Sequence, residues 1–132
     1  MNDLTCTVNN AETYQIVCLE HQQTYLYGEV IQIIACRQMA WVRPLLLYQR
    51  SPLGVATEPL SHSPAVFDLR QGSDLFWPLQ LFRPALDTEV LPLFAQFQAW
   101  DAQPESDRLI SRHQLHQFIQ QVWQACPAAF AN

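Results

Sequence analysis

The run from Thr24 to Cys36, TYLYGEVIQIIAC, constrains the fold more than any other part of this chain. It is dense in β-branched and aromatic residues, which suit a pleated surface. Alternation places Tyr25, Tyr27, Ile31 and Ile33 on one side and Leu26, Val30 and Ile34 on the other, with Glu29 and Gln32 interrupting the two faces. Apolar residues on both sides predict a central strand covered on both sides for part of its length.

The flanking segments read as its partners. Tyr14–Glu20 (YQIVCLE) is a second strand, joined through His21-Gln22-Gln23, a short hairpin connection without the usual Asn-Gly. Arg37–Met39 is a turn, and Ala40–Gln49 (AWVRPLLLYQ) is a third strand, in which Pro44 favours an edge or a bulge. Together these make a three-stranded antiparallel meander. Residues 50–65, with three prolines and three serines, form a loop. Val66–Arg70 is a fourth strand and 71–74 a turn.

Two helices follow. The first starts at Asp87 as N-cap, has Glu89 at its positive end, and carries a stripe of Leu91, Phe94, Phe97 and Trp100. The second starts at Ser111-Arg112-His113-Gln114, a capping-box pattern, after a lead-in at 105–110 that is either a helical turn or a short strand. Its apolar stripe is Leu115, Phe118, Ile119, Val122 and Trp123, and Pro127 stops it. The expected class is α+β: one domain over 1–132, an antiparallel sheet of about four strands with C-terminal helices packed on it, and 1–12 flexible.

Charged residues are only 14% against 49% hydrophobic, so some neutral or apolar surface must remain exposed. Net charge is −5, lysine is absent and the arginines are scattered, which lacks the footprint of a nucleic-acid binder. No apolar run reaches the roughly 18 residues of a membrane span, and the polar N-terminus MNDLTCTVNN is no secretory signal. A cytoplasmic protein is expected. Cys6, Cys18, Cys36 and Cys126 form no C-x-x-C pair and read as reduced thiols.

The chain offers little chemistry. Gly28, Gly54 and Gly72 are too far apart for a phosphate-binding loop. His113 and His116 share a helix face, and Cys18 and His21 have the same spacing, but the paired-cysteine pattern of a zinc site is missing. Ser61-His62-Ser63 sits in the proline-rich loop. Asp68, Asp74, Asp87 and Glu89 read as turn and cap residues before they read as acid and base. No catalytic residue, metal or cofactor is assigned.

The segment 68–89, DLRQGSDLFWPLQLFRPALDTE, has neither a helical nor a strand period. Either it lids the sheet as core or it lines an apolar groove made rigid by Pro78 and Pro84. Trp, Phe and Arg dominate binding hot spots. The candidate partner-binding residues are therefore Leu75, Phe76, Trp77, Leu79, Phe82 and Arg83, with Trp41 and Arg43 as a second group.

Two stretches, YGEVIQIIACRQMAWVRPLLL (27–47) and FDLRQGSDLFWPLQLFRPALDTEVLPL (67–93), resemble a family of small conserved cyanobacterial proteins that includes a carboxysome assembly factor. The resemblance implies a non-enzymatic adaptor that engages the flexible C-terminal tail of a CcmK-type carboxysome shell protein, and hence association with carboxysomes. It assigns no individual contact residue. The expected function is a protein-binding adaptor. Two alternatives stay open, a small-molecule or pigment-binding module with an apolar cavity and an uncharacterised enzyme, and the same apolar patch would also serve homo-oligomerisation.

Overall fold

The computed structural model of the protein describes residues 15–50, 65–95, 97 and 105–130. The expectations for 1–12 (with Cys6), for nearly all of the 50–65 loop with Ser61-His62-Ser63, and for Trp100 lie outside them. The strands are β1 (Ile16–His21), β2 (Thr24–Ile34), β3 (Met39–Gln49), β4 (Ala65–Asp68), β5 (Leu75–Pro78) and β6 (Arg83–Pro84). The helices are α1 (Asp87–Phe94), α2 (Glu105–Ala125) and α3 (Pro127–Phe130), with single 3₁₀ turns at Ala35–Arg37 and Leu79–Leu81.

The sheet is antiparallel with six strands, in the order β4-β3-β2-β1-β6, and β5 also pairs with β3. The α+β class and the β1-β2-β3 meander are as expected, but the strand count is higher. Both added strands come from the segment without a period. β4 and β5 share one edge of β3: β4 pairs with Leu46–Gln49 and β5 with Met39–Val42. The stretch between those ladders holds Pro44, which needs no donor there.

The β1–β2 hairpin closes through Gln22 and Gln23, whose φ values of 48° and 67° are both left-handed. Positive φ at both central positions is the type I′ pattern, which follows strand twist and is normally given to Asn-Gly. A bulge lies between Val30 and Gln32 in the β2–β3 pairing. It absorbs Ile31 and reverses the alternation beyond it, so Ile33 joins Leu26 and Val30 rather than the tyrosines. At Gly28, opposite Pro44, an added Cβ would sit 2.5 Å from Val42 Cγ1 and 3.0 Å from the Arg43 carbonyl oxygen. Strand approach requires glycine there.

Two cores result, one on each face. On the first, Val17, Leu26, Val42 and Leu47 pack under Leu115, Phe118 and Val122 of α2. On the second, Cys18, Tyr27 and Leu46 pack under Val90 of α1, with Leu93, Phe94 and Phe97 partly buried around them. The helices thus lie on opposite faces.

Both helices correct the periodicity reading. In α1 the N-cap is Leu86 and Asp87 is already helical; Glu89 accepts the Leu86 N–H at 3.0 Å. The inward row is Val90, Leu93 and Phe94, with Phe97 beyond the end of the helix on the same core, while Leu91 is exposed. Helix α2 begins at Glu105, so Ser111 is interior and buried instead of a cap, and Trp123 faces outward. Pro127 ends α2 and opens α3, whose Phe130 meets Trp77 edge-on with ring centroids 5.1 Å apart.

Candidate protein-binding face

Helix α1 is eight residues long and covers only part of the second face. Beyond it, alternation along β3 sends Trp41 and Arg43 to the same side as Tyr27, and the register sets Phe76 of β5 directly opposite Trp41. Trp41 is 39% exposed and Phe76 49% exposed, an adjacent aromatic pair facing solvent. Gln32, paired with Trp41 from the other side, is exposed too.

One carboxylate organises this area. The Trp41 indole Nε1–H donates to Asp74 Oδ2 at 2.8 Å, and the Arg43 Nε–H donates to Asp74 Oδ1 at 3.2 Å. The Arg43 guanidinium holds the Asp74 carboxyl below its usual range; partial burial opposes this and the Trp41 bond adds to it. Trp41 and Arg43 therefore have set orientations. Past Phe76 the surface continues into an open groove of about 780 Å³, walled by Met39, Pro78 and Gln80 on one side and Ala128 to Phe130 on the other.

Under α1 stands a second arginine–carboxylate–aromatic group. The Tyr27 hydroxyl donates to Glu89 Oε2 at 2.7 Å, and Arg83 reaches both Glu89 oxygens, from Nη2 at 2.8 Å and from Nη1 at 3.1 Å. Those bonds, Arg83 first, lower the Glu89 carboxyl to about 2 against an ordinary 4.5, with burial working the other way. Burial, and then the acceptor role of Glu89, raise the Tyr27 phenol well above its usual value. The Cys18 thiol beside them, fully buried, is pushed up to about 12 by burial, which leaves it a poor nucleophile.

The eight sequence-predicted residues are divided by the alternation of β5 and the turn after it. Trp41, Arg43 and Phe76 come together on the open half of the second face. Leu75, Leu79 and Phe82 are buried in the first core. Trp77 is half-buried on the first face against Phe130. Arg83 is tied to Glu89, with Glu20 at 3.9 Å. Asp74, which positions the open group, was legible only as a turn residue; it lies 33 positions from Trp41, and no local pattern links them.

Three of the carboxylates grouped in the sequence have their own arginine: Asp68 with Arg70 at 2.9 Å, Asp74 with Arg43, and Glu89 with Arg83. Arg70 also lies 4.1 Å over the Phe97 ring. Among the described residues no three His, Cys, Asp or Glu side chains are placed to hold a metal ion, and no helix is long and apolar enough to cross a membrane. Comparison with known protein families, curated proteins and solved structures finds no match for this chain.

Proposed function

We propose that the chain is a protein-binding adaptor or assembly factor that seats its partner on the open half of the second face, with Trp41 and Phe76 as anchors. The observation that carries this reading is the cross-strand Trp41–Phe76 pair, exposed and already oriented through Asp74. Tryptophan is enriched among residues that dominate interface energies, and preorganisation lowers the ordering cost of binding. The adjoining groove suits an extended peptide.

The resemblance of 27–47 and 67–93 to the cyanobacterial family of the carboxysome assembly factor CcmS supplies the partner to test: the C-terminal tail of a CcmK-type shell protein. Its peptide is titrated into the full chain by calorimetry. Trp41→Ala and Phe76→Ala, each checked for native circular dichroism, are expected to weaken binding by about tenfold or more, the loss typical of a hot-spot side chain. Equal affinity in both variants sinks the placement. A native chain that ignores the tail peptide discards that partner.

A further inference from the structure

A second concavity lies on the other side of the sheet. It measures about 240 Å³ and sits between the turn after β4 and two adjacent rows of α2. One row is Ser111, Leu115 and Ile119, the other Arg112 and His116, each with the four-residue spacing that aligns side chains along a helix. Leu69 closes the floor from the sheet side.

Ser111 is the unusual member. It is 6% exposed and is the one buried polar residue among the described residues. A buried hydroxyl ordinarily has a hydrogen-bond partner, and leaving one unmade is unfavourable by about 1–3 kcal/mol. No described residue supplies a partner to Ser111, and its side chain lines the pocket. Arg112 at the rim has no carboxylate partner among the described residues. The one acid in the lining, Asp68, is already occupied: Arg70 holds Oδ1 through Nε at 3.0 Å and Oδ2 through Nη2 at 2.9 Å, and the Arg70 backbone N–H adds a third bond.

We propose that this pocket binds a small carboxylate with an apolar body. The body lies on Leu69, Leu115 and Ile119, a carboxylate oxygen accepts from the Ser111 hydroxyl, and the charge is met by Arg112. The volume is below the roughly 300–1,000 Å³ of drug-sized sites, so the ligand is small.

The test uses the full chain and benzoate as probe, followed by amide chemical shifts in a ¹H–¹⁵N titration. Saturable shifts at Leu69, Gly72, Ser111 and Leu115 are expected, with benzyl alcohol binding about tenfold or more weakly because it lacks the charge. Ser111→Ala is expected to abolish saturation while melting at or above the native temperature, since it removes a buried hydroxyl to which no described residue supplies a partner. Arg112→Gln, an exposed change, is expected to weaken benzoate and leave benzyl alcohol unchanged. The proposal is overturned by shifts that never saturate, by equal affinity for the two probes, by an Arg112→Gln variant that binds benzoate normally, or by a Ser111→Ala variant that loses stability. None of these outcomes bears on Trp41 and Phe76, which face the other way.

Discussion

The two halves of the second face carry the same three parts. Under α1, Tyr27 and Arg83 both donate to Glu89; on the open half, Trp41 and Arg43 both donate to Asp74. Cover of the aromatic member separates them: Tyr27 is buried, whereas Trp41 is 39% exposed. The Glu89 group lies beside fully buried Cys18 and Leu46, and its carboxyl is driven to about 2. The Asp74 group lies beside exposed aromatics, and its carboxyl is lowered by Arg43 and Trp41 against partial burial. The ion pairs themselves are similarly solvated, with arginine side chains 44% and 50% exposed and carboxylates 20% and 27%, so neither pair alone adds much stability, and the buried phenol marks the structural group.

That contrast can be broken by substitution. Leu46→Ala, beneath α1, is expected to destabilise the chain by about 2–5 kcal/mol in urea unfolding, as for other buried leucines. Glu89→Gln follows at about 1–2 kcal/mol, the lower part of the range for bonds to a charged group because Arg83 is partly solvated. It carries a pH signature. With a folded value of about 2 and an ordinary value of 4.5, Glu89 in the unfolded chain takes up its proton first as pH falls. Its contribution is complete above 4.5 and is lost on descent to about 2. The Gln variant should lose that part of the acid slope, and an unchanged acid limb would mean that the group is not structural. Phe76→Ala, on the open half, is expected to change stability by less than about 1 kcal/mol. A larger drop would make Phe76 part of the core and remove the distinction. Asp74→Asn should leave the urea midpoint within error while altering Trp41 fluorescence, because it loosens the indole without exposing core.

How much of this was readable depended on the range of the interaction. The hairpins joining β1, β2 and β3 are local, and their alternation showed in the sequence. β5 and β6 did not show, because strands of four and two residues ending at Pro78 and Pro84 have no measurable period; long-range pairing creates them. The same applies to Ile33, whose side was set by a bulge that depends on β3 as much as on β2. Ser111 resembled a cap because its neighbours match a capping box, yet the helix had begun six residues earlier at Glu105. Residue type was enough to name Trp41, Arg43 and Phe76 as candidates. Only the fold could separate them from Leu75, Leu79 and Phe82, which are close in sequence and face the opposite side.

The shared edge of β3 has a further consequence for how the molecule opens. This strand is bonded to β2 along one side and to β4 and β5 on the other, so freeing all of its amides takes the loss of three pairings. Hydrogen exchange at Val42 and Leu47 should therefore report the free energy of global unfolding, and that of Arg83, which carries the single amide hydrogen of β6 on the far edge, only local fraying. Phe76 belongs to one of the short strands on that central element. A partner gripping it would slow exchange across the middle of the sheet, far beyond the residues it touches.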